Sequence, residues 1–110
     1  MVLCLLLPGL LWCSLKICSM KRLEATVYGR VQGVSFRHYT QQKANELSLT
    51  GWVANQPDRT VRVVAEGPAE QLELLLNWLW RGAPAARVEN VAATWYEATQ
   101  EFNRFTIRWF

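Results

Sequence analysis

The sequence predicts an α+β fold, a mostly antiparallel sheet with two helices on one face. Three observations predict it. Five segments read as strands: Leu23 to Tyr28, Leu49 to Asn55, Val61 to Glu66, Arg87 to Tyr96 and Phe105 to Phe110. Two segments carry apolar residues at helical spacing, one from Phe36 to Leu47 and one from Leu72 to Leu79. The two kinds follow each other as strand, helix, strand, strand, helix, strand and a closing strand, and 110 residues suffice for one domain with a modest core.

The first strand ends at a loop, Gly29 to Arg37, and a helix is expected from about His38 to Leu47. Phe36, Thr40, Ala44 and Leu47 would form its buried side. The strand Leu49 to Asn55 meets turn residues in Gln56-Pro57-Asp58-Arg59, and the strand Val61 to Glu66 returns to Gly67-Pro68. Pro68 suits the first turn of a second helix, and Glu70 lies near its positive dipole end. Leu72, Leu75, Leu76 and Leu79 make one apolar stripe, closed by Arg81-Gly82. Trp78 and Trp80 lie off that stripe and are expected to cap core edges. Arg87 to Tyr96 reads as a strand with room for a bulge, and Glu97 to Arg104 as a loop. In the last strand Phe105, Ile107 and Trp109 alternate onto one face. Two β-α-β halves in this order suit a ferredoxin-like α/β sandwich.

Composition narrows the function. A net charge of +3 is too weak to argue for nucleic acid or acidic membranes, though it helps attract a small phosphorylated anion. All three cysteines, Cys4, Cys13 and Cys18, precede the domain and match no zinc spacing. Residues 1–19 are nearly all apolar, yet they are short for a membrane span and lack a basic segment before the apolar run. The expectation is an extension outside the functional domain, arising from an upstream start codon, with a membrane-associating leader as the rival. Residues 20–110 then form the domain, for which no stable membrane association is expected.

The loop carries the chemistry. In Gly29-Arg30-Val31-Gln32-Gly33-Val34-Ser35-Phe36-Arg37, two glycines four residues apart let backbone N–H groups turn inward. Such groups at a helix N-terminus favour an anion, and Arg37 adds a forked cation. Phe36 reads as the apolar pin that fixes the loop on the core. Taken alone, the pattern fits an ordinary strand-to-helix turn equally well.

A second segment decides between them. Val27 to Arg37 together with Gly51-Trp52-Val53-Ala54-Asn55, followed by Val61 to Gly67, resembles the two signatures of the acylphosphatase family, in order and at the right spacing. The resemblance covers roughly residues 20–110. It implies hydrolysis of acyl phosphates to carboxylate and inorganic phosphate by a small cytoplasmic monomer. It also implies that the N–H groups of Gln32, Gly33, Val34, Ser35 and Phe36, with the Arg37 guanidinium, hold the phosphate, while Asn55 orients the attacking water. No metal, cofactor or nucleic acid is required. Ser35 has no Asp or Lys at motif spacing to activate it, and His38 reads as a surface residue. Gln32 is expected to shape the loop rather than donate from its side chain to substrate, and Asp58 to shape its turn.

Three positions depart from the family pattern: Ser48 and Arg59 stand where Gly is usual, and Ala54 where Arg is frequent. A turn requiring positive φ would strain Arg59 and shift Asn55 slightly. The reading from a different class is a ferredoxin-like RNA- or phosphate-anion-binding module without catalysis. Its aromatic-rich Lys/Arg-Gly-Phe strand is missing from the sequence.

Overall fold

In the computed structural model of the protein, which describes residues 20–109, the chain runs β1 (Met20–Arg30), α1 (Phe36–Glu46), β2 (Thr50–Asn55), β3 (Val61–Pro68), α2 (Ala69–Arg81), β4 (Arg87–Glu97) and β5 (Phe105–Arg108). The expected extension at residues 1–19 lies outside the described residues. The strands form one sheet in the order β4-β1-β3-β2-β5, in which β5 runs parallel to β2 and every other pairing is antiparallel. This is the ferredoxin-like α+β sandwich that the element order predicts.

Alternation along the strands decides the two faces. Leu23, Ala25 and Val27 of β1, Val53 of β2, and Val61, Val63 and Ala65 of β3 are fully buried in one cluster with Phe36 and Ala44 of α1 and Leu72, Leu75 and Leu79 of α2. Both helices therefore cover the same face. The stripe on α2 is as expected, with Leu76 half-buried at its margin. Trp78 leans on Phe36, ring centroids 5.7 Å apart, while Trp80 is exposed.

Several boundaries shift. Helix α1 begins two residues earlier than expected, because Ser35 turns left-handed (φ 61°) and the Tyr39 N–H already donates to the Ser35 carbonyl at 3.1 Å. Its end is closed by Ser48, also left-handed (φ 58°), with the Leu49 N–H reaching back to Ala44 O at 2.9 Å. Pro68 caps α2 in extended geometry and belongs to β3, so the helix starts at Ala69. The room for a bulge in β4 is used: Tyr28 pairs with Asn90 and Gly29 with Val88, which leaves Glu89 as the extra residue.

The other face of the sheet is polar and partly covered. The connection from β4 to β5 must pass from one sheet edge to the other, and Glu66 of β3 holds it down. The Glu66 carboxylate accepts from the Thr99 N–H (2.9 Å), the Thr99 hydroxyl (2.9 Å) and the Gln100 N–H (2.8 Å). Arg22 donates to it at 3.2 Å, stacks over Phe102 at 5.3 Å and also pairs with Glu24. Burial pushes the Glu66 carboxyl up, but these donors outweigh it and hold the group below its ordinary value.

Candidate active site

The site is built where β1 hands over to α1. Gly33 (φ 77°) and Ser35 (φ 61°) both take left-handed backbone, while Val34 between them does not. That alternation curls consecutive N–H groups toward one point. For Gly33 the requirement is conformational rather than steric, since a Cβ there would meet nothing within 4 Å. The first intrahelical bond of α1 belongs to Tyr39, so the N–H groups of Phe36, Arg37 and His38, at the positive end of the helix dipole, meet no main-chain acceptor among the described residues. No acidic residue occupies the first turn to neutralise it.

Phe36, 1% exposed, fixes this turn by packing into the core against Trp78. Its neighbour Arg37 points the other way, into a cavity of about 400 Å³ lined by Gly33, Ser35, Arg37, His38, Asn55 and Trp109, with Val31, Phe36 and Ile107 beneath. Asn55, the last residue of β2, shares the helix-covered face with Val53, two residues before it. Its Oδ1 is buried and accepts no hydrogen bond from the described residues. A buried acceptor left open in this way is costly unless a donor from solvent or ligand reaches it.

The backbone that carries Asn55 is set by two further residues. Gly51 (φ 137°) lies so close to β3 that a Cβ would run into the Val64 carbonyl, and its N–H donates to Arg104 O at 3.0 Å. After Asn55, the turn closes through Asp58, whose carboxylate accepts from the Thr60 hydroxyl at 2.6 Å and the Thr60 N–H at 3.1 Å. Those bonds hold the Asp58 carboxyl below its usual range. Arg59 adopts φ 74°, the positive angle at which glycine would be unstrained.

Sequence reasoning grouped Gln32 and Val34 with the loop. Val34 packs against the core cluster, and Gln32 faces a separate cleft that also contains Gly29, Arg30 and Arg59. The Gln32 side chain donates to the carbonyls of Gln56 (2.8 Å) and Thr60 (2.9 Å), so it shapes the loop as expected. Trp109 is the site residue that sequence reasoning did not single out. Its ring lies against the Arg37 guanidinium, with Cζ 4.1 Å from the ring centroid. The available signal was its alternation with Phe105 and Ile107, which gives the face but not the neighbour. His38 is exposed, edge-on to Tyr39, yet contributes to the cavity rim.

Comparison with known proteins now bears on this geometry. The acylphosphatase family model matches residues 23–107. The chain belongs to the acylphosphatase family. It is 46% identical over 88 residues to an acylphosphatase of Salinibacter ruber, covering 80% of this chain and 93% of that one. To an acylphosphatase of Thermus thermophilus it is 55% identical over 78 residues, 71% of this chain and 89% of the relative. A solved acylphosphatase structure from Coxiella burnetii superposes with a TM-score of 0.78 at 39% identity, over 84% of this chain and 97% of that one. The activity of the family, hydrolysis of an acyl phosphate, is accordingly the activity of this chain. Among the described residues that line the acylphosphatase cavity, none is an Asp or Glu. Among the described residues, no three His, Cys, Asp or Glu side chains are grouped so that they could hold a metal ion, and no helix is long and apolar enough to cross a membrane.

Proposed function

We propose that the phosphoryl group of the acyl phosphate sits in the loop from Gln32 to Phe36, against the Arg37 guanidinium, and that Asn55 orients the attacking water. The observation that carries this reading is the buried, unpartnered Asn55 Oδ1 in the same cavity as Arg37. A carboxamide can accept from a water proton through Oδ1 while Nδ2 donates to a phosphate oxygen.

The chemistry asks little else of the protein. The water oxygen bonds to phosphorus, the bond from phosphorus to the acyl oxygen breaks, and the carboxylate departs with the electron pair. One water proton stays on the new P–OH, and the other passes to a phosphate oxygen or to solvent. A carboxylate is a good leaving group, so no strong general base is needed. Catalysis then rests on positioning and on donors fixed around the equatorial oxygens. Main-chain N–H groups and one guanidinium supply those donors without a metal, and metal independence is part of the proposal, as are a monomeric state and a cytoplasmic location.

The RNA-binding reading is the less favoured one, because the sheet face that would stack bases is crossed by the segment held on Glu66 and occupied by the ion pairs of Arg22, Glu24 and Arg62. Steady-state hydrolysis of a synthetic acyl phosphate, with and without chelator, tests the proposal. Arg37→Ala is expected to lower the rate by about 10²–10³-fold, with wild-type activity insensitive to chelator. A variant as fast as wild type would remove Arg37 from the site.

A further inference from the structure

We propose that Trp109 is a positioning residue for Arg37: its indole face holds the guanidinium at the cavity mouth while leaving every N–H edge free for the phosphoryl group. The proposal rests on the reading of Arg37 as the cation that holds phosphate.

The contact itself is close, with Arg37 Cζ 4.1 Å from the ring centroid. What matters is the kind of partner. Arg22 is spent on carboxylates, at 2.9 Å to Glu24, 3.2 Å to Glu66 and 3.4 Å to Glu101, and Arg62 donates to Glu24 at 2.7 Å. Arg37 makes no ion pair and no side-chain hydrogen bond among the described residues, and Trp109 is its one neighbour of this kind. A carboxylate would orient the guanidinium but would occupy its donors and cancel its charge. An aromatic face attracts the cation from above its plane, so the in-plane N–H fork and the charge both remain available. Fixing a flexible side chain before the anion arrives also removes an ordering cost from binding.

The sheet explains why Trp109 is there. β5 runs parallel to β2 with Gly51 opposite Phe105, Val53 opposite Ile107 and Ala54 opposite Arg108. Trp109 directly follows the last pair of that register, just beyond the end of β5, and lines the same cavity as Asn55, the last residue of β2. The residue is nevertheless 77% exposed, so it contributes little to the core and its truncation is expected to leave the fold intact.

The test combines titration with inorganic phosphate and steady-state hydrolysis of an acyl phosphate, applied to Trp109→Ala, Trp109→Leu and Trp109→Phe. The Ala and Leu variants are expected to weaken phosphate binding by about two- to fivefold, the range an exposed cation–π contact supports, and to lower kcat/KM at least as much. Phe should recover most of that loss. In an Arg37→Ala background, Trp109→Ala should add nothing. Leu performing as well as Phe would overturn the proposal, since bulk alone would then suffice. So would a loss from Trp109→Ala that is equally large without Arg37. Arg37→Ala with wild-type phosphate binding and turnover would instead overturn the reading of the site, and this proposal with it.

Discussion

The Gln32 carboxamide donates to the Gln56 carbonyl at 2.8 Å, and so ties the loop before α1 to the residue immediately after Asn55. A second bond from the same nitrogen to Thr60 O, at 2.9 Å, reaches the far side of the turn. Gln32 and Gln56 are 24 positions apart in the chain, and through them one side chain clamps the two sequence signatures together.

Gln32→Ala should therefore loosen the mutual placement of loop and Asn55. Two carbonyls lose one donor each but keep a main-chain one, the Arg59 N–H for Gln56 and the Gln56 N–H for Thr60, so the expected cost is about 0.5–1.5 kcal/mol. Turnover should fall as well, since small misplacement of reacting groups is expensive. Chemical denaturation and steady-state kinetics on the same preparation check both, and an Asn55 region indifferent to the change would show wild-type kcat.

Asn55→Ala should separate catalysis from binding. With the loop N–H groups and Arg37 intact, inorganic phosphate should still bind within a few-fold of wild type. The kcat should drop by about 10²-fold, the usual scale for one preorganised group. An equal loss in phosphate affinity would contradict a water-orienting role.

Glu66→Gln addresses the strap over the polar face. Gln offers one acceptor oxygen where the carboxylate serves four donors, from Thr99, Gln100 and Arg22. Leaving donors unmet should cost about 1–3 kcal/mol at neutral pH. The pH dependence has a definite sign. The folded-state pKa of Glu66 is depressed from the ordinary 4.5, so its contribution is full above that value and is lost as pH falls through the lower, folded value. Denaturant midpoints should accordingly differ most at neutral pH, with the gap between wild type and variant narrowing in acid.

Arg59→Gly and Ser48→Gly should each stabilise the protein. Both residues sit at positive φ, 74° and 58°, where a non-glycine residue costs about 1–2 kcal/mol. Glycine returns about 0.5–1 kcal/mol of that through unfolded-chain entropy. The net gain of about 0.5 kcal/mol corresponds to roughly 2–4 °C in Tm for a domain of this size. An unchanged Tm would mean that the strain only matches the entropy glycine adds to the unfolded chain, and a lowered Tm for both variants would show that these angles carry no strain.

Much of the architecture and of the candidate site was legible in the chain. The leucine stripe of α2 and the alternation of β5 depend on local periodicity, which sequence states directly. The glycine-bearing loop and its strand-end asparagine are signatures, so Arg37 and Asn55 could be named from the order of residues. Even the strain at Arg59 was foreseeable, because the turn chemistry around Asp58 is local. Helix α1 began earlier than expected because a left-handed serine replaced the usual extended cap, a backbone choice that residue type does not announce.

What only the tertiary structure decided were the partners. Alternation put Trp109 on the same face as Phe105, but the parallel register between β5 and β2 delivered its ring to Arg37. Glu66 read as an ordinary strand residue until the segment at Thr99 and Gln100 folded over it and brought its donors. Periodicity fixes the direction of a side chain through bonds a few residues long. Its neighbours across a sheet depend on pairing between segments tens of residues apart, and that pairing is settled by packing of the whole core rather than by any one stretch of chain.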